Sequence, residues 1–159
     1  MVRKDREVKD FKDMIAIVDK CNVLNLAMFD EDYPYVIPVS FGYEVIDEHL
    51  YLYIHGAVRG KKVDLLKKNN KVSFSMNQFY GYDETRTGIT TRYESVTGTG
   101  TATPAENSKE KAHGLKLLCA HCGYQNYDVS LCKNIPFTNV WKIEVTSLYG
   151  KKNLRKVEI

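Results

Sequence analysis

The chain has 159 residues, 43% hydrophobic and 27% charged, with only 10 Gly and 4 Pro, which excludes a disordered, collagen-like or low-complexity polymer. A formal charge of +3, from 23 Lys and Arg against 20 Asp and Glu, does not by itself name nucleic acid as a partner. No apolar run approaches the roughly 18 residues of a spanning helix, and the charged start Arg3-Lys4-Asp5-Arg6-Glu7 leads into no signal-peptide block. The expectation is one soluble, cytoplasmic domain over residues 1–159, with no membrane partner. Cys21, Cys119, Cys122 and Cys132 then read as reduced thiols.

Val8, Phe11, Ile15 and Val18 recur at helical spacing, which predicts an amphipathic helix over residues 7–20. A short strand follows at 23–29, and Asp30-Glu31-Asp32 makes a turn. From Tyr33 to Tyr43 the period is two. Tyr33, Tyr35, Ile37, Val39, Phe41 and Tyr43 form a core face, while Pro34, Val36, Pro38, Ser40 and Gly42 form a small, flat one. Such a face suits a sheet edge, a subunit contact or the floor under a planar ligand.

Residues 49–55 predict a strand with Leu50, Leu52 and Ile54 on one face and Tyr51, Tyr53 and His55 on the other. Arg59 to Lys68 reads as a short helix, 71–77 as a strand, and the Tyr-rich stretch to about Thr90 as a loop. Residues 91–102 read as a Thr- and Gly-rich strand. Thr103-Pro104-Ala105-Glu106 looks like a helix start, with Ala112, Leu115, Leu118, Cys119 and Cys122 as the apolar stripe that follows. A last strand runs from about Phe137 to Leu148. These elements predict a mainly β protein, a small antiparallel barrel with flanking helices.

The most informative local feature is the order strand, His55-Gly56-Ala57, then Gly60-Lys61-Lys62 opening a helix. Lysines in a first turn oppose the helix macrodipole by a few tenths of a kcal/mol each, about 0.3 or more. They make sense where amide donors and ammonium groups together hold an anion, of which phosphate is the usual example. The competing reading is plain surface lysines.

The ordered set Tyr33-Pro34-Tyr35-Val36-Ile37-Pro38-Val39-Ser40-Phe41-Gly42-Tyr43, Leu50-Tyr51-Leu52-Tyr53-Ile54-His55-Gly56-Ala57 and Gly60-Lys61-Lys62-Val63-Asp64-Leu65-Leu66 resembles the FMN-binding split-barrel superfamily of pyridoxamine phosphate oxidase. The stretches Tyr93 to Ala102 and Trp141 to Lys151 extend the resemblance over roughly residues 5–153, closest to the nitroimidazole-resistance branch.

The resemblance implies a six-stranded antiparallel split barrel and a homodimer with FMN at the subunit interface. By position it sets Lys62, with Lys61 and the His55-Gly56-Ala57 segment, at the FMN phosphate, and Val39, Ser40 and Phe41 along the flavin ring. It also sets Ser95 and Val96 on the neighbouring strand, Trp141 or Lys151 reaching in from the partner subunit, and His55 as the catalytic or substrate-side residue. The implied activity is electron or hydride transfer to a small molecule, with nitroaromatics as the candidate substrate and NADH or NADPH as the candidate donor.

Departures from the family narrow this. Gly60 stands where the oxidases usually carry Ser, the flavin strand is neutral, and no arginine cluster offers a second phosphate site. Oxidation of pyridoxamine phosphate is therefore disfavoured. A flavin- or haem-binding module without turnover is the alternative of a different class. Cys119-Ala120-His121-Cys122 reads as core thiols on one helix face, and no metal is expected. His49 and His113 read as exposed polar residues. Arg86 and Arg92 among Tyr80, Tyr82 and Tyr93 are diluted by Asp83, Glu84 and Glu94, so no nucleic-acid surface is expected.

Overall fold

Asp10 decides where the first helix begins: its side chain accepts from the amides of Lys12 and Asp13 at 2.8 and 3.3 Å. In the computed structural model, which describes residues 3–154, this helix (α1) spans Phe11–Lys20 and buries Met14, Ile17 and Val18. Val8 lies outside it, in the two-residue strand β1 (Glu7–Val8).

The next strands are β2 (Leu24–Met28), β3 (Tyr35–Val39), β4 (Phe41–Ile46) and β5 (His49–Ala57). Helix α2 (Lys61–Lys68) follows, then β6 (Lys71–Thr85), β7 (Gly88–Pro104), α3 (Ser108–His121) and β8 (Thr138–Asn153). All pairings are antiparallel, in the order β3-β2-β6-β7-β8-β5-β4, with β1 added to β8.

The segment expected as one strand from Tyr33 to Tyr43 is broken at Ser40, and its two halves are the opposite ends of the sheet. One residue therefore joins the two edges, so the sheet curls into a barrel that stays split between β3 and β4. The predicted alternation survives the break: Tyr35, Ile37, Val39 and Tyr43 pack on a core in which Phe41 is wholly buried. Tyr33, at 80% exposure, is the exception. Leu24, Leu26, Leu52, Ile54, Met76, Val96 and Ile143 fill the interior with no exposed surface, each contributing about 1.5–3 kcal/mol by burial.

Two further expectations are corrected. The stretch to Thr90 is not a loop: β6 and β7 pair without interruption to Thr85 and Gly88, apart from a bulge between Phe79 and Gly81. Beyond the bulge no apolar side chain of the ribbon is buried among the described residues, and Tyr82 and Ile89 are 67% and 76% exposed. With no buried face, the ribbon carries no apolar alternation to read.

The cap of the third helix lies four residues past the predicted Thr103. Pro104 stays in the ladder opposite Trp141, and Ala105 donates to the Val140 carbonyl at 2.8 Å. Asn107 is the cap, accepting from the Glu110 amide at 3.0 Å while the Glu110 carboxylate accepts from the Glu106 amide at 2.8 Å. Within the helix Leu118 is buried, but Cys122 is exposed and does not belong to the apolar stripe.

The docking of α3 depends on bare backbone. A Cβ on Gly42 would lie 2.4 Å from the Leu118 nitrogen, and one on Gly114 would lie 2.7 Å from Val140 Cγ1. Part of the small face predicted on the Tyr33–Tyr43 segment is thus occupied by the protein's own helix.

Candidate functional site

The β5–α2 junction is built around Gly60, whose φ of +126° is a conformation that side chains rarely adopt. Its carbonyl accepts from the amides of Val63 and Asp64 at 2.8 and 3.2 Å, so α2 starts abruptly. The amides of Lys61 and Lys62, in the first turn, have no helical carbonyl to reach.

Lys62 folds back from this turn and donates to the His55 carbonyl at 3.0 Å. Its ammonium lies over Gly56, where a Cβ would come within 2.7 Å of Nζ. The side chain is half-buried, and among the described residues no carboxylate comes within ion-pair distance of it. Burial accordingly lowers its pKa. A partly desolvated cation beside free amides is suited to an anion.

Lys61 is differently placed. Its Nζ pairs with Asp30 at 2.6 Å and lies 4.9 Å from the centre of the Tyr35 ring. This contact raises the Lys61 pKa and lowers that of Asp30. The His55 pKa is pushed down, first by desolvation and then by the Lys62 cation, which favours the neutral imidazole at pH 7.

At the corner between β3 and β4, Val39 pairs with Leu24 and Phe41 with Ile54. The Phe41 ring is buried 4.5 Å from that of His121, so Ser40 and the edge backbone are what this corner presents outward. The pairing of Phe41 with Ile54 sets the corner beside the end of β5 that carries His55, Gly56 and Ala57.

Ser95, Val96 and Lys151 are elsewhere. Ser95 Oγ donates to the Lys151 carbonyl at 3.4 Å, Val96 is wholly buried, and Lys151 Nζ is 5.9 Å from the centre of the Tyr93 ring. His55 pairs with Val140 and Ser95 with Lys151, at opposite ends of β8, separated by roughly 35 Å of strand at about 3.3 Å per residue. Trp141 is in the core at 2% exposure, its indole N–H without a hydrogen-bond partner among the described residues. Such a side chain has almost no surface to offer a second protomer.

Several polar groups escaped the sequence. Glu44 accepts from the Tyr53 hydroxyl at 2.5 Å and meets His113 Nε2 at 3.0 Å, on the wall of an 830 Å³ cleft beside α3. Burial acts to raise the Glu44 pKa, but these two donors together outweigh it and hold the carboxyl below its usual range. Glu94, the one buried charged residue among those described, is held by Lys20 at 2.8 Å and the Tyr80 hydroxyl at 2.7 Å. Neither pairing has a local signature, because the partners are 69 and 74 residues apart.

Arg92 sits 3.2 Å from Asp83, and Tyr80 is engaged by Glu94, so these groups do not form a free basic-aromatic surface. Among the described residues no group of His, Cys, Asp and Glu is arranged to hold a metal ion, and no helix is long and apolar enough to cross a membrane.

Comparison with known proteins gives a consistent frame. No curated protein matches the chain. Among solved structures, a candidate 5-nitroimidazole antibiotic resistance protein from Bacteroides thetaiotaomicron is 26% identical, over 91% of this chain and 85% of that one, with a TM-score of 0.77. An FAD- and haem-binding protein from Mycobacterium smegmatis aligns over 96% of this chain and 76% of its own at 17% identity, with a TM-score of 0.79. The flavocytochrome Anf3 of Azotobacter vinelandii aligns over 96% and 72% at 18% identity, with a TM-score of 0.76. These last two likenesses concern the fold alone. A family model described as pyridoxamine 5'-phosphate oxidase matches residues 10–152. With that match spanning nearly the whole split barrel, the chain belongs to the pyridoxamine 5'-phosphate oxidase family.

Proposed function

We propose that this protein binds FMN and transfers electrons or hydride to a small organic acceptor, with nitroaromatics as the first class to test. The observation that carries the reading is Lys62: a half-buried ammonium without a carboxylate partner among the described residues, beside the free amides that open α2. A phosphate there satisfies the cation and the amides together. Family membership and the nitroimidazole-resistance likeness support the rest. FMN is put before a dinucleotide because Lys62 suits a single phosphate and the adjacent Lys61 is paired with Asp30.

In this reading Lys62 and the amides of Lys61 and Lys62 hold the phosphate. Ser40 and the backbone of Val39–Phe41 flank the ring, which when bound supplies hydride or single-electron chemistry. His55, neutral at pH 7, serves as a hydrogen-bonding group on the phosphate or substrate side rather than as a standing acid. Lys151 lies far along β8 from the residue paired with His55, and Ser95 pairs with it from β7, so they join the site only from a second copy of the chain; a homodimer in the cytoplasm is part of the proposal. Pyridoxamine phosphate is not the proposed substrate, since the Val36–Phe41 stretch of the flavin strand is neutral.

The test is the visible spectrum of the purified protein before and after adding FMN, with mass detection of anything released on denaturation. FMN in stoichiometric amount, bleached by NADH or NADPH, is the expected result. FAD or haem in its place would redirect the assignment toward the cofactors named for the structural neighbours. A colourless protein that takes up no flavin would refute it.

A further inference from the structure

Lys61 and Lys62 are adjacent in sequence but serve different partners. Lys62 turns back to the His55 carbonyl, whereas Lys61 reaches the turn after β2 and meets Asp30 at 2.6 Å. The next residue of that turn, Glu31, takes Lys68 at 3.3 Å. Two of the cations of α2 are thus neutralised by one acidic turn. The pair is a surface contact, with the Lys61 side chain 55% and that of Asp30 24% exposed, and the Tyr35 ring below Lys61 favours the same position. A phosphate would compete with this carboxylate for the same donors.

We propose that Asp30 is a specificity-determining residue, which withholds Lys61 from the phosphate site. The inference rests on the flavin reading above. Its consequence is that the phosphate contributes less to binding than two adjacent lysines would allow, so the preference for FMN over riboflavin falls short of what two free lysines would give. Neutralising Asp30 releases Lys61 and raises that preference.

Fluorescence titrations of FMN and riboflavin at low ionic strength test this in the full chain, comparing wild type, Asp30→Asn, the double variant Asp30→Asn/Lys61→Met, and Glu31→Gln. Asp30→Asn should bind FMN about fivefold more tightly, the scale of one partly exposed ion pair, and riboflavin unchanged. Adding Lys61→Met should erase the gain, and Glu31→Gln should change neither ligand. A gain that survives Lys61→Met would reflect general charge and overturn the proposal, as would a flat response to Asp30→Asn. Should Asp30→Asn not fold, the wild type decides. On adding FMN, the NMR signal of 13C-methylated Lys62 should move and that of Lys61 should not; equal movement would overturn the proposal. Failure of both flavins to bind wild type would refute the flavin reading and this role with it, whereas binding with a flat Asp30→Asn response refutes the role alone.

Discussion

Replacing Lys62 by Met keeps most of the side-chain length and removes the charge, so its effects on ligand and fold separate. In the free protein the substitution deletes one hydrogen bond to the His55 carbonyl, worth about 1 kcal/mol net, and relieves a half-buried cation that has no counter-ion among the described residues. These terms oppose each other, and stability should stay within about 1 kcal/mol of wild type. With the phosphate bound, the same ammonium makes a charge-assisted contact worth about 1.5–3 kcal/mol, which converts to a loss of roughly 10- to 150-fold in FMN affinity. Riboflavin, without the phosphate, should bind both proteins alike. Isothermal titration with the two flavins, beside thermal unfolding without ligand, measures all three quantities. Unchanged FMN affinity would remove the phosphate from Lys62; an equal loss for riboflavin would show that the substitution disturbs the site generally.

Other outcomes follow from the same contacts. Gly56→Ala places a methyl 2.7 Å from the movable end of Lys62, so it should weaken FMN binding several-fold, about the loss of one hydrogen bond, with a melting temperature close to wild type. Gly42→Ala meets fixed backbone of α3 instead, at 2.4 Å from the Leu118 nitrogen. It should destabilise by about 1–3 kcal/mol in thermal or urea unfolding. Glu44→Gln tests the acid response. A carboxylate held below its unfolded value contributes stability that is complete above the ordinary pKa of 4.5 and is lost as pH falls through the folded one. Wild type should therefore exceed Glu44→Gln in stability at pH 7, with the gap closing below about pH 4.5; a gap that persists at acid pH would exclude the Tyr53–Glu44–His113 contacts as its source.

Most strands were legible because one face of each is buried. The alternation from Tyr35 to Tyr43, and that of Leu50, Leu52 and Ile54, states directly which side chains meet the core. The start of α2 was legible for another reason: Gly60 before two lysines combines a backbone requirement with a charge pattern, both local. The β6–β7 ribbon was not, because beyond its bulge no face is buried. The start of α3 was missed because two capping signatures stand four residues apart, and only the ladder between Pro104 and Trp141 decides between them.

The candidate site divides along the same line. That an anion could sit at the start of α2 follows from residues within one turn of each other, and the sequence by itself determined it. Which lysine is available does not follow, since Asp30 approaches Lys61 only once the turn after β2 is folded against the helix. Tertiary structure alone also buried the Phe41 ring and Trp141 and set Lys151 at the far end of β8 from His55. Short-range chemistry is written in spacing, but an ion pair, a close helix contact or the two ends of one long strand depend on how a curled sheet brings distant residues together or keeps them apart.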